Sequence, residues 1–335
     1  MENRDLYFEK LRGLAIIAVV MIHTITMSTN LSLVFRQFVN FAVAFFFFMS
    51  GYFIKKNIFE IKGSGKKFIV KRLKRILIPY FIWSLLSLIF IQRFYHFNYK
   101  MIILNLLTGQ TVNIYYFIIV MAQFIIITPI LIKYMNNKIV NRLLWLVTPV
   151  SLLVLYILNL VMGKVISFPY YALPFTIWFL FYYYGIIVGN DSVIEAKIVK
   201  KLDINVTFYI ICIALSIVEG YILFHKFGLM GFASSQIKIS SFLASFFFIN
   251  MMLGVKKYLK AYKFKFLVTL GNYSFGIYLI HIFVIKIINK SIRLLNLDSL
   301  YSPIITLTTI VISWFIIIIT INVIGQKKSK DLLGF

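Results

Sequence analysis

The chain of 335 residues is 61% hydrophobic and 18% aromatic, with only 13% charged residues, a net charge of +25 and a mean hydropathy of +0.92. Water-soluble domains carry about a quarter charged residues, so this composition excludes an ordinary soluble protein. The basic excess does not point to nucleic acid either, because the lysines and arginines stand in short segments between apolar runs and no soluble basic domain exists to carry them.

A helix needs about 20 mostly apolar residues to cross the roughly 30 Å hydrocarbon core. Backbone polar groups find no water there, so each apolar run must be helical. A β-barrel would show alternating strands of about ten residues, whereas the runs here are continuous. In chain order they fall at roughly 12–29, 35–54, 76–95, 114–132, 143–162, 171–189, 206–225, 238–254, 266–288 and 303–324. The expectation is an all-α integral membrane protein with ten transmembrane helices. The first run lacks the small-residue cleavage site of a secretory leader and nine more follow it, so it is expected to be retained.

The longest segments between runs, 55–75 and 93–113, are too short to bury a core of their own. Residues 1–335 therefore read as one membrane domain, with 101–107 expected at the interface. No internal repeat of the kind seen in many secondary transporters is visible. Cys212, the single cysteine, lies inside an apolar run, which excludes an intrachain disulfide and suits a small buried hydrophobe.

Orientation follows from the basic residues. Of 35 lysines and arginines, 26 fall on the side holding both termini and the 55–75 segment. Nine fall on the other: Arg36, Arg93, Lys100, Lys164, Lys226, Lys238, Lys286, Lys290 and Arg293. The richer side is cytoplasmic, so both termini are expected inside a plasma-membrane protein and odd-numbered helices run outward.

Ionisable groups deep in a span are costly and mark functional candidates. Three qualify: His23 in the first span, Glu219 in the seventh and His281 in the ninth. All lie about 12 to 15 residues from the cytoplasmic ends, which at about 1.5 Å per residue predicts a common depth and one polar cavity. The structural alternatives are a histidine bonded across a helix interface and a glutamate serving as a partner for a cation.

Arg12 precedes His23 by eleven residues, three turns plus about 20°, so the two share a face about 16 Å apart. Arg12 otherwise serves as an interface anchor that snorkels to lipid phosphates. The start of the third span reads Lys71-Arg72-Leu73-Lys74-Arg75, with Arg72 and Arg75 neighbours on one face. Guanidinium groups suit phosphates; the alternative is a topology signal.

At these residues the chain resembles the acyltransferase-3 family of multi-pass membrane acyltransferases. The stretch from Arg4 through Arg12-Gly13-Leu14-Ala15 to His23 resembles its first-helix signature, an arginine, ten residues and a histidine. Phe48-Met49-Ser50-Gly51-Tyr52-Phe53 is similar to its Ser-Gly-aromatic motif. Arg72-Leu73-Lys74-Arg75 before Pro79-Tyr80 is similar to its paired-arginine motif, and Leu270-Gly271-Asn272-Tyr273-Ser274 through His281 to its late-helix pattern. Glu9 stands where the family often has aspartate. The extracytoplasmic hydrolase-like domain of some members is not expected here.

The resemblance implies transfer of an acyl group, commonly acetyl, from cytoplasmic acyl-CoA to a hydroxyl of a cell-envelope glycan or its precursor. It implies Arg12, Arg72, Arg75 and Ser50 as donor-binding residues, and His23 as general base with His281 or Glu219 orienting it or binding the acceptor. No metal is called for, and the partners are lipid, acyl-CoA and a glycan or lipid-linked sugar. A polysaccharide exporter or proton-coupled transporter is the alternative, since intramembrane His and Glu also suit those. An exporter has no use for a phosphate-binding inner face.

Overall fold

The computed structural model describes residues 5–25, 29–61, 63–90, 99–259, 262, 264–294 and 302–335. Among them all regular structure is helical. Arg4 and Lys260 are among the residues outside this set.

Over the described residues each predicted span falls on a helix or on two in succession. The first is α1 (Leu6–Thr24), which starts earlier than its apolar run because Asp5 caps it through the Tyr7 amide. The second is α2 (Asn30–Val39) followed end to end by α3 (Phe41–Tyr52), with a reciprocal Thr29–Ser32 cap at its start. Helix α4 (Ser64–Phe90) extends back through the whole basic run and continues past Pro79. A short helix α5 (Tyr99–Thr108) covers 101–107. Then come α6 (Tyr116–Tyr134), α7 (Lys138–Tyr156) and α8 (Phe175–Asn190), the short α9 (Ser192–Lys200), and α10 (Leu202–His225). After α11 (Met230–Ala233), α12 (Ile239–Gly254) and α13 (Lys256–Leu259), the ninth predicted span divides into α14 (Lys265–Asn272) and α15 (Ser274–Leu294). Helices α16 (Ser302–Ile324) and α17 (Gln326–Lys328) follow.

Eight of these, with α2–α3 counted as one, are long and apolar enough to cross a membrane. The two other predicted spans differ for physical reasons. Helix α1 carries Glu9, Lys10 and Arg12 in its first two turns, and α12 has only 16 residues.

Lipid tails give helices no hydrophobic reason to associate, so close packing and hydrogen bonds must hold them. Glycines set two contacts. A Cβ on Gly13 of α1 would stand 2.1 Å from the Leu267 carbonyl oxygen, and one on Gly271 of α14 would stand 1.9 Å from that of Glu9. The two backbones touch reciprocally, and only glycine fits. Helices α3 and α8 meet the same way, through Gly51 against Tyr182 and Gly185 against Phe48. Around that seam aromatic rings interlock: Phe47 lies 5.3 Å from Trp178, and Phe124 stacks on Tyr182 at 4.3 Å.

Charged residues of α1 are built in rather than exposed. Lys10 is buried and its Nζ donates to the carbonyls of Leu259 and Tyr262, both at 2.7 Å. The Tyr7 hydroxyl donates to the Met252 carbonyl. These bonds anchor the start of α1 to the end of α12 and to α13. At its other end Thr24 meets Thr306 of α16 at 2.5 Å. Helix α1 is thereby fixed at both ends and along one side.

Candidate active site

With α1 pinned by α14 and α16, its remaining face looks into a single cavity of about 2640 Å³ bounded also by α3, α4, α6 and α15. This exceeds the roughly 300–1,000 Å³ of a site for one drug-sized ligand, leaving room for two substrates together. One end is strongly basic: Arg12, Lys55, Lys67, Lys71, Arg72 and Arg75 all line it. Eleven residues further along α1, His23 lines the same cavity. The shared face expected of Arg12 and His23 therefore opens on one space.

The arginines are held by neighbouring side chains. Arg12 pairs with Glu9 at 2.8 Å, and its guanidinium lies 5.2 Å from the Phe53 ring centroid. Glu9 itself is buried, so this pair fixes the guanidinium at the cavity mouth. Arg72 lies 4.8 Å over the Phe68 ring, and Phe68 packs edge-on against Phe59 at 4.9 Å. Ser50 lines the cavity with its hydroxyl donated to the Phe46 carbonyl of its own helix at 2.8 Å.

His23 and His281 come together, with ring centroids 5.4 Å apart. His281 is fully buried, and its Nδ1 lies 2.8 Å from the Tyr278 carbonyl oxygen and 3.1 Å from that of Ile277. Carbonyls only accept, so in the neutral ring Nδ1 carries the proton and Nε2 is a bare acceptor. Among the described residues Nε2 has no hydrogen-bond partner. His281 thus stands behind His23 rather than on the cavity wall.

Glu219 is elsewhere. It does not line the cavity. Its Oε1 accepts from the Tyr156 hydroxyl, and its Oε2 accepts from the Ser240 hydroxyl and, at 3.0 Å, from the Ser240 amide. These contacts tie α10 to α7 and α12. The common depth expected of the three ionisable residues does not bring Glu219 to this cavity, because depth along a helix says nothing about which neighbour its face meets.

Two basic residues read as topological signals prove to be interior. Arg36 of α2 lines the cavity and donates through Nη1 to the Ile22 carbonyl, one residue from His23. Lys238 is fully buried and donates to Gln37 at 2.6 Å, to both oxygens of Ser216 and to Ser241. Both fall within a residue or two of a predicted span boundary. The available signal was the capped start of α2 at Thr29, which places Arg36 two turns inside a helix.

A family model described as an acyltransferase domain matches residues 5–318. The chain belongs to the acyltransferase-3 family. No curated protein and no solved structure matches it. The acyltransferase-3 match begins at Asp5, the cap of α1, and ends in α16. It therefore takes in α1, α3, α4, α6 and α15, which bound the cavity, and by family the chain is a multi-pass membrane acyltransferase.

Proposed function

We propose that the protein is a ten-span plasma-membrane O-acyltransferase, with both termini cytoplasmic, that moves an acetyl group from acetyl-CoA to a hydroxyl of a cell-envelope glycan. The observation that carries this reading is the continuity of one cavity from the basic mouth at Arg12, Arg72 and Arg75 to His23. A donor whose phosphates sit on the arginines can thread its thioester about 16 Å along α1 to reach the histidine.

In this scheme the acceptor hydroxyl approaches from the opposite end. His23 takes its proton while the oxygen attacks the thioester carbonyl, forming a tetrahedral intermediate. That intermediate collapses to the ester, breaks the carbon–sulfur bond and releases CoA thiolate, which receives the proton from His23. Imidazole suits both transfers because its ordinary pKa lies near neutrality. His281, its ring 5.4 Å from that of His23 and its Nε2 an acceptor, would fix a proton on the nearer His23 nitrogen once the rings close to hydrogen-bonding distance. The other nitrogen is then free to act as base. The Ser50 hydroxyl lies along the donor's path, and Glu219 supports the helices behind the site.

The test is acyl transfer by purified protein in vesicles of known orientation. Radiolabelled acetyl-CoA supplied on the face bearing Lys66 should label envelope glycan, and the same donor on the other face should not. An exporter would leave the glycan unlabelled from either side.

A further inference from the structure

Arg36 has no place in the scheme above, yet it lines the cavity beside His23. Its Nη1 donates to the Ile22 carbonyl at the end of α1, and among the described residues its Nε is buried without a partner. The carboxylates on the cavity wall, Asp5 and Glu9, belong to the basic mouth, where Asp5 pairs with Lys256 and Glu9 with Arg12. No described carboxylate reaches Arg36. A guanidinium on a cavity wall without a described counter-ion is a functional candidate, and an anion is the ligand that suits it.

A second feature points the same way. Lys286 of α15 also lines the cavity, and with Lys290 and Arg293 it forms a stripe at spacings of four and three residues, one face of the helix. These are three of the nine basic residues on the side where the positive-inside rule disfavours them. Lipid phosphates suit Lys290 and Arg293 at the surface. Lys286 joins the stripe to the cavity that Arg36 lines.

We propose that the acceptor is an anionic glycan, bearing phosphodiester or carboxylate groups, that enters along Lys286, Lys290 and Arg293 and seats one anion on Arg36. This rests on the acyltransferase reading and adds the class of acceptor. Tyr116 and Tyr171, on the same cavity wall, supply flat surfaces and hydroxyls of the kind that bind sugar rings. The stripe steers the polyanion, and the fork of Arg36 fixes its register so that a hydroxyl meets His23.

The experiment measures binding to purified protein with CoA saturating the inner arginines. Three oligosaccharide probes are compared: oligoglucuronate, its carboxyl-reduced neutral form, and an oligo(glycerol phosphate). At least one anionic probe should bind about tenfold or more tightly than the neutral one, the scale of one charge-assisted hydrogen bond. Which of the two binds identifies the anion. Arg36→Gln should abolish that preference while leaving CoA affinity intact, and the combined Lys286→Gln, Lys290→Gln and Arg293→Gln variant should weaken it and flatten its salt dependence. Equal affinity of wild type for all three probes would overturn the proposal without needing any variant to fold. So would an anion preference that survives Arg36→Gln. The preference is read without turnover, so failure of acyl transfer in wild type would sink the acyltransferase reading separately.

Discussion

The ring of His281 lies 5.4 Å from that of His23, with its Nδ1 committed to backbone carbonyls and its Nε2 left as an acceptor. In the proposed scheme this relationship gives His281 the role of a positioning residue. His281→Ala should lower kcat about 10- to 100-fold, the scale for groups that orient a reacting partner, with CoA affinity unchanged. His281→Gln, which can return an acceptor to the Nε2 position, should recover much of the loss. Full activity per folded molecule in His281→Ala would remove it from the mechanism.

Glu219 belongs to the fold. Both of its oxygens are taken by Tyr156 and Ser240, and a glutamine can reproduce only part of that pattern. Glu219→Gln should cost about 1–3 kcal/mol of stability, seen as a lower melting temperature in detergent. Activity per folded molecule should stay near that of wild type. Unchanged stability with lost turnover would return Glu219 to the chemistry.

The Gly271–Glu9 contact sets the position of α1 and hence of both Arg12 and His23. Gly271→Ala would force its Cβ into the Glu9 carbonyl, and the strain of overpacking is typically about 1–3 kcal/mol or more. Gly231 in α11, with nothing within 4 Å of an added Cβ, is the control. The expected result is a large drop in thermal stability for Gly271→Ala and little change for Gly231→Ala. Similar melting temperatures would show that α1 and α14 can separate freely.

The helical layout was legible because apolar runs of this length have one solution in a bilayer, and α6, α10 and α16 lie where their runs predict. The face shared by Arg12 and His23 was legible too, since helical periodicity relates residues on one element. Partners across elements were not. Glu219 and His281 were expected at one depth but meet different neighbours, and nothing in the spacing of a helix reveals its rotation in a bundle. Arg36 and Lys238 were hidden by their nearness to span boundaries, where a basic residue normally signals topology. The reciprocal glycines Gly13 and Gly271 stood inside recognised motifs, but their role as a backbone contact needs both helices in place.

Donor binding tests the basic mouth. Arg72 is half-buried and Arg75 exposed, so losing either should change stability little. Arg72→Ala or Arg75→Ala should weaken CoA binding about tenfold or more, as expected for a lost charge-assisted bond to phosphate. Wild-type affinity in both variants would leave the run as a topology signal alone.

The most direct measurement is acetylated product per folded molecule for His23→Ala, read beside thermal stability and CoA affinity. Removing a general base typically costs about 10² to 10⁴ in rate. His23 is only partly buried on the cavity wall, so the variant should insert, fold and bind CoA like wild type. A loss of that size with folding and donor binding intact is the predicted result. Near-normal specific activity, or activity that falls only as folded protein is lost, would contradict the assignment of His23 as the base.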